Sequence, residues 1–335
     1  TRIGQGNMRI HKQYFFLSFC LWSFCAHSAE VTLANGDRYE GEVVDGALNG
    51  SVTYIWAGGD RYEGEFLNDQ PDGSGTYRWV DGRIYTGEFQ SGVRQGRGQL
   101  QWPNGDLYQG EFVNNMMQGM GAFTWANKDR YRGSFRNNQR TGNGFMSWHT
   151  GQTYEGGFQN GQMHGLGTYV FADGREYQGA FVLGKKNGNG TFSWPNGNRY
   201  TGSFADGQRE GDGVFFWRDG TVYRGQFLAN KQHGYGVKEQ PNNFLELQQW
   251  QNGEMLRAWS IKANKFCDFQ HRSRAWMFSA DSCINGLAHG RGVAVSLDGD
   301  FVVIGGRFVL GQMVAGELIN IPRAERDHTE TTTDG

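Results

Sequence analysis

The chain has little proline, little cysteine, no excess of charge of one sign and no long apolar run. Five prolines, and 53 glycines without a Gly-X-Y period, exclude a proline-rich coil and a collagen helix. With 32 basic and 34 acidic residues the net charge is −2, and no block of lysine or arginine supplies the basic face that nucleic-acid binding usually needs. Nucleic acid is therefore not expected as a partner.

The longest apolar run lies near the N-terminus. It covers residues 14–25, fewer than the about 20 residues that a membrane-spanning helix needs. The basic segment Met8–Lys12 precedes it, and the small residues of 26–29 follow it. This order is typical of a secretory signal peptide, cleaved after Ser28 or Ala29; an uncleaved anchor is the alternative. We expect residues 1–29 to be upstream residues plus this signal, and the protein to be exported to the periplasm, the cell envelope or the medium, in a bacterium.

Only four cysteines are present, and two of them, Cys20 and Cys25, fall within the predicted signal peptide. The other two, Cys267 and Cys283, predict one disulfide bond in an exported protein. A metal site is the alternative, although His271 is the single further ligand close to them in sequence. We expect neither a metal nor a cofactor.

Aromatic residues make up 15% of the chain, which argues against disorder, and they recur with a fixed period. A tyrosine stands every 23 residues in nine consecutive units. These tyrosines define position 0 of each unit and are Tyr39, Tyr62, Tyr85, Tyr108, Tyr131, Tyr154, Tyr177, Tyr200 and Tyr223. Nine units in one register indicate a repeat array.

Other positions of the unit are similarly regular. Positions 2 and 11 are glycine throughout, position 13 is glycine except for Val52, and position 4 is phenylalanine except for Val43. In the first eight units position 15 is bulky, position 17 is tryptophan except for Phe171, and position 20 is glycine except for Lys128. These residues alternate with polar ones along two segments, which is the period of a β-strand.

Turn residues separate the two alternating segments. Pairs such as Asn160-Gly161 stand at positions 6 and 7, and sequences such as 103–106 (Pro-Asn-Gly-Asp) precede the next tyrosine. Each unit is therefore predicted to be a β-hairpin, joined to the next by another turn. Since the glycines share a face with the aromatic residues, we expect the rings to lie over a glycine floor. A bulky residue at position 11 or 13 is expected to displace them.

The pattern resembles the MORN repeat family. The family signature Tyr-x-Gly-x-Phe, followed by a turn and Gly-x-Gly, stands here as residues 62–66 (Tyr-Glu-Gly-Glu-Phe) with residues 73–75 (Gly-Ser-Gly). The resemblance implies an elongated, single-layer antiparallel sheet. It agrees with an all-β fold of tandem hairpins over residues 30–240, made of a half-unit and nine full units.

The repeat pattern decays after the ninth unit. Residues 241–322 keep only fragments of it, such as Gly290 and Gly292 at positions 11 and 13 of a shifted register. We expect this region to be a divergent cap that carries the disulfide between Cys267 and Cys283, because terminal repeats are commonly atypical. Residues 323–335 are polar and charged and are expected to form a flexible tail.

No grouping of residues indicates catalysis. His149, His164 and His233 belong to separate units, and no nucleophile motif such as Gly-x-Ser-x-Gly is present in a supporting context. Gly-x-Gly recurs in nearly every unit, so it indicates repeat architecture and not a phosphate loop. Glutamates at positions 1 and 3 share a face with Arg38 and Arg61, which favours a solvated charge ladder. We expect no enzyme.

The aromatic face is the most informative feature for function. A single-layer sheet has no second layer to cover it, so part of the aromatic stripe is expected to be exposed and to bind a ligand. A protein partner is expected first, with an envelope glycan such as peptidoglycan, a phospholipid, or a second copy of the chain as alternatives. The candidate binding residues are Tyr85, Trp102, Tyr108, Trp125, Tyr131, Trp148 and Tyr154.

Overall fold

The computed structural model describes residues 29–44, 46–242, 244–261, 276–285, 287–296 and 300–321. Within these ranges the secondary structure consists of β-strands and turns, in two antiparallel sheets. The first part of the larger sheet contains β1 (Ala29–Thr32), β2 (Arg38–Val44), β3 (Ala47–Ile55), β4 (Arg61–Leu67), β5 (Gln70–Arg78), β6 (Ile84–Gln90), β7 (Val93–Gln101), β8 (Leu107–Val113), β9 (Met116–Thr124), β10 (Arg130–Arg136) and β11 (Gln139–Ser147).

The larger sheet continues through ten more strands. They are β12 (Thr153–Gln159), β13 (Gln162–Val170), β14 (Glu176–Val182), β15 (Lys185–Ser193), β16 (Arg199–Ala205), β17 (Gln208–Phe216), β18 (Val222–Leu228), β19 (Lys231–Glu239), β20 (Leu245–Gln251) and β21 (Glu254–Ile261). Each strand pairs with its neighbours in sequence, so the 21 strands form one open antiparallel sheet of consecutive hairpins. The predicted all-β hairpin array is confirmed, and its sheet extends beyond residue 240 to Ile261.

Two kinds of turn alternate along the array. At positions 6 and 7, Asn114 and Asn115 have φ of 49° and 68°, the type I′ geometry that matches the twist of a two-residue hairpin. At the other end of each strand pair, the Gly105 N–H bonds to the Trp102 carbonyl at 2.9 Å and the Trp102 N–H to the Asp106 carbonyl at 2.9 Å. Position 20 has a positive φ even where the glycine is replaced, since Lys128 has φ of 73°.

Side chains tie each turn to a neighbouring unit. The Asn115 carboxamide oxygen accepts a hydrogen bond from the Arg94 backbone N–H at 2.8 Å, and the Asp106 carboxylate accepts one from the Ala126 N–H at 2.8 Å. Equivalent bonds recur along the array, for example from the Leu48 N–H to Asp69. Both ends of the hairpins are therefore linked across units, in addition to the strand pairing.

A tyrosine ring over two glycines is the recurring packing motif of the sheet. The Tyr85 ring lies over Gly87 and Gly98, which face each other on β6 and β7. A Cβ on Gly98 would stand 2.5 Å from Tyr85 Cε2 and Cζ, closer than carbon atoms approach. The Tyr85 hydroxyl holds the ring there by donating to the Glu88 carbonyl at 2.9 Å. The predicted glycine floor is confirmed at positions 2 and 13.

Position 11 differs from the sequence-based expectation. Gly96 has φ of 68°, in the left-handed region that residues with a side chain rarely adopt, where the pairing of β6 with β7 shifts register. A Cβ there would overlap the Glu88 carboxylate on the face opposite Tyr85. The expectation that a bulky residue at position 11 would displace the rings is therefore wrong, because this bulge turns the residue away from them.

The smaller sheet covers one end of the polar face of the larger sheet. It contains β22 (Trp276–Ile284), β23 (Leu287–Ser296), β24 (Phe301–Val309) and β25 (Gln312–Asn320). Val293 and Val302 of this sheet pack with Val237 and Leu247 of β19 and β20. A second core lies within the smaller sheet itself, around Phe308.

The predicted disulfide bond is not tested by the structure. Cys283 belongs to β22, whereas Cys267 lies outside the described residues. The pairing therefore stays a prediction.

Replacing a floor glycine should destabilise the array. In the Gly98→Ala variant the new Cβ meets a ring that is fixed by a hydrogen bond and by its neighbours, so we expect a loss of about 1–3 kcal/mol or more of unfolding free energy. Gly58→Ala is the matched control, since nothing lies within 4 Å of a Cβ at this turn position. Urea unfolding followed by circular dichroism measures both. Equal midpoints for the two variants would contradict the packing role.

Alkaline pH should unfold the array. Burial raises the pKa of Tyr85, Tyr131 and Tyr154 from 10.0 to about 12, while unfolded tyrosine ionises near pH 10. The stability that these residues contribute is full below pH 10 and is lost as pH rises towards 12, because only the unfolded state then ionises. In a pH titration, most of the tyrosinate absorbance should appear together with the loss of circular dichroism. Tyrosinate formation in a still-folded protein would argue against it.

Candidate binding face

The four tyrosines among the candidate binding residues are core residues. Tyr85, Tyr108 and Tyr154 are 0% exposed and Tyr131 is 1% exposed. Their hydroxyls are hydrogen-bonded to the backbone as well. The Tyr108 hydroxyl, for example, donates to the Glu111 carbonyl at 3.0 Å. The expectation that these tyrosines contact a ligand is corrected by this burial.

The burial results from ring packing within the single layer. Each tyrosine meets the phenylalanine of its own unit and that of the next unit edge to face. The Tyr108 ring centroid lies 5.2 Å from that of Phe112 and 5.0 Å from that of Phe135. Such edge-to-face pairs are favourable beyond the area that they bury. The tyrosine and phenylalanine rings therefore cover one another, and no second layer is needed to exclude water.

The tryptophans remain partly accessible. Trp102, Trp125 and Trp148 are half-buried and pack against the core from its margin. Each contacts the bulky residue at position 15, for example Trp125 with Phe123 at a centroid distance of 4.6 Å. We call the residues of position 17 the tryptophan row: Trp56, Trp79, Trp102, Trp125, Trp148, Phe171, Trp194 and Trp217.

Position 9 adds a row of cations that the sequence analysis did not identify. It places Arg94, Arg140, Lys186 and Arg209 on the aromatic face, with Met117 and Met163 at the same position of intervening units. Position 9 has the same parity as positions 11 to 17, so continuing that alternation one step back would have found it. The pattern was hidden because the residue type at this position changes from unit to unit.

The three arginines of this row have a structural role that their contacts explain. The Arg94 guanidinium carbon lies 5.5 Å from the ring centroids of Trp79 and Tyr85, and Nη2 donates to the Asn115 carbonyl at 2.8 Å. Arg140 makes the equivalent bond to the Gly161 carbonyl at 2.6 Å. Burial lowers the pKa of Arg94 to about 10, which leaves it charged at neutral pH. Each arginine thus caps the turn of the next unit and covers aromatic rings.

The opposite face is polar, with three large exposed apolar side chains on it. Hydroxyl and carboxamide pairs cross between strands there, such as Gln109 Nε2 to Gln99 Oε1 at 2.7 Å. Three large apolar side chains interrupt them, and Leu166, Met120 and Phe145 are 76%, 56% and 43% exposed. Exposed apolar residues were predicted for the aromatic face, and these three on the polar face were not predicted.

The charged residues of the polar face form local pairs. Arg61 and Glu63 are bonded and exposed, as the charge-ladder interpretation predicted. Within the described ranges, no group of three or more His, Cys, Asp or Glu side chains is placed to hold a metal ion. None of the described segments is a helix long and apolar enough to cross a membrane.

Comparison with solved structures returns proteins of low identity. The TCP10c domain of Drosophila melanogaster Sas-4 is 18% identical, with 45% of this chain and 91% of that chain covered and a TM-score of 0.29. The TCP10 domain of Danio rerio CPAP is 13% identical, with 69% and 99% covered and a TM-score of 0.24. No curated protein matches the chain.

The family model described as MORN repeat matches ten segments of the chain. They are residues 39–61, 62–82, 85–107, 108–130, 131–153, 154–174, 177–199, 200–222, 223–243 and 284–301. The last segment lies in β23 and its flanks, so the smaller sheet also contains repeat sequence. These matches cover more than half of the chain, and the protein belongs to the MORN repeat family.

Proposed function

We propose that the protein is a non-enzymatic repeat scaffold that binds a protein partner through the tryptophan row. The observation that carries the proposal is the partial exposure of Trp102, Trp125 and Trp148, which lie beside a buried core of tyrosine and phenylalanine rings. The tyrosines of the candidate set belong to the buried core against which these rings pack, and they do not reach the ligand.

The physical argument is one of preorganisation. Tryptophan offers a large contact area with few rotatable bonds, so little conformational entropy is lost on binding. The tryptophan rings are further restricted by their neighbours. Trp125, for example, contacts both Phe123 and the Arg140 guanidinium, whose central carbon lies 5.4 Å from the Trp125 ring centroid. A partner thus meets a surface whose shape is already fixed.

The other ligand classes are outcomes of the same experiment. A glycan such as peptidoglycan would stack sugar rings on the tryptophans, and a phospholipid would need cations that are free to reach its head group. Arg94, Arg140 and Arg209 already bond to backbone carbonyls of the protein, which favours a protein partner over a lipid surface. A second copy of the chain is the remaining alternative.

We further propose that the scaffold is a bacterial protein that acts outside the cytoplasm. The proposal rests on the order of basic, apolar and small residues in 8–29 and on the single cysteine pair that follows it.

A tryptophan double variant should lose partner binding without unfolding. We expect Trp125→Ala with Trp148→Ala to reduce capture of the partner from envelope extract, measured as bound mass per folded molecule by quantitative mass spectrometry. Met120→Ser with Phe145→Ser, on the opposite face of the same units, is the matched control and should retain capture. Loss of capture in the control alone would move the binding site to the polar face. Competition by soluble muropeptides would indicate a glycan, and flotation with anionic vesicles would indicate a lipid.

Export should leave two chemical marks on the protein. In a bacterial host the intact mass should correspond to a chain that begins at Ala29 or Glu30, since the predicted cleavage follows Ser28 or Ala29. The mass should also be lower by two hydrogen atoms than that of the reduced chain, because oxidation of Cys267 and Cys283 to a disulfide removes one hydrogen from each thiol. An uncleaved N-terminus in the envelope fraction would contradict the signal peptide, and free thiols on the exported chain would contradict the disulfide.

A further inference from the structure

Lys186 is the one cation of the position-9 row without a hydrogen-bond acceptor among the described residues. Its ammonium lies over four rings, with Nζ at 4.7 Å from the centroid of Phe192, 5.5 Å from those of Tyr177 and Phe204, and 5.9 Å from that of Phe171. The rings attract the charge through their faces, but they accept no ordinary hydrogen bond. Among the described residues, none accepts a hydrogen bond from the Lys186 ammonium.

Packing alone does not explain a lysine at this place. Met117 and Met163 occupy position 9 in other units and pack against the same kind of core, so an uncharged side chain of similar length fits. The arginines at position 9 reach a backbone carbonyl of the next unit, as Arg209 does with Asn230 at 2.5 Å. Lys186 carries the desolvation cost of a cation, and the attraction of the ring faces is the compensation that the described residues supply.

The surroundings of Lys186 are positively charged. Burial, Arg175 and Arg209 together lower the pKa of Lys186. The nearby carboxylates are directed elsewhere, since Asp173 pairs with Arg175 at 2.7 Å and Asp206 with Lys185 at 3.0 Å. Three cations therefore surround this part of the aromatic face with no carboxylate bonded to Lys186.

The tryptophan row is altered at the same place. Phe171 is its one phenylalanine, and its ring lies beneath both Arg175, at 4.8 Å, and Lys186. A phenyl ring is smaller than an indole, so the residue at position 17 offers less aromatic surface here than beside Arg94 or Arg140. The exception in the repeat thus coincides with the unbonded ammonium.

We propose that Lys186, flanked by Arg175 and Arg209, is an anchor site for an aspartate or glutamate side chain of the protein partner. The proposal rests on the proposed binding role of the tryptophan row and adds the chemistry of the segment that docks there. A carboxylate supplies the acceptor that the ammonium lacks and offsets the mutual repulsion of the three cations. Because the ammonium lies between ring rows, its ligand must protrude from a chain, as an acidic side chain does.

Binding of a fluorescein-labelled hexaglutamate to the full chain at an ionic strength of about 0.1 M, where the Debye length is about 10 Å, tests the assignment by fluorescence anisotropy. We expect Lys186→Met to weaken binding by about tenfold or more, as expected for a lost charge-assisted bond. The variant should still fold, because methionine occupies this position in two other units. Its melting temperature should be equal to or above that of the wild type, since a desolvated charge is removed.

Arg94→Met is the matched control. Arg94 lies eight strands away from Lys186 on β7, about 38 Å at 4.8 Å per strand, whereas hexaglutamate extends over about 20 Å. The control should bind the peptide within about twofold of the wild type, since a charge beyond several Debye lengths at moderate salt has little effect. Equal weakening by both variants would reduce the effect to general charge and overturn the site.

Other outcomes separate this site from the scaffold function. If the wild type binds no hexaglutamate while tryptophan-dependent partner capture persists, the carboxylate site is wrong and the scaffold function stands. If Lys186 dependence is seen with inorganic phosphate or with phosphatidylserine-containing vesicles but not with hexaglutamate, the anion is a phosphate and the assignment is overturned. Hexaglutamate binding that requires Lys186, without partner capture, supports the site and contradicts the scaffold function.

Discussion

The close approach of a tyrosine ring to two facing glycines is the constraint on which the rest of the structure depends. The ring of Tyr85 occupies the space that a Cβ on Gly87 or Gly98 would take, and its hydroxyl bonds to the backbone of its own strand. A floor without side chains lets the ring lie flat on the sheet, and the flat ring replaces the packing that glycine lacks. The tyrosine ring therefore needs the glycines for space, and the glycines need the ring for packing.

This arrangement explains how one layer can hold a core. A sheet normally buries its apolar face against another element. Here Phe112 of the same unit and Phe135 of the next unit stand edge to face against Tyr108, so the rings of neighbouring units cover one another. Each unit therefore depends on its neighbours, as in other repeat proteins, and the side-chain bonds from Asn115 and Asp106 strengthen the same nearest-neighbour coupling.

The two faces of the larger sheet are covered in different ways. The aromatic face is covered by its own rings and leaves the tryptophan row and the cations of position 9 at its margin. The polar face is open along most of the array, but the smaller sheet covers it near β19 and β20 because apolar residues such as Val237 and Leu247 replace polar ones there. Variation on a regular repeat, and not the repeat itself, thus decides where each face is covered. The same holds for Phe171 and Lys186, whose departure from the pattern marks the proposed anchor site.

The sequence by itself determined the repeat length, the hairpins, both kinds of turn and the pairing of tyrosine with glycine, because period-2 alternation and turn residues are local signals that recur nine times. It did not determine which aromatic residues are accessible. The alternation places Tyr108 and Trp125 on the same face, yet only the three-dimensional ring contacts bury Tyr108 and leave Trp125 at the margin. The bulge at Gly96 likewise follows from register between strands, which the alternation of a single strand does not contain. Only the tertiary structure decided the role of the position-9 cations, because it placed Lys186 over rings from three units and gave Arg209 a backbone carbonyl of the next unit as its acceptor.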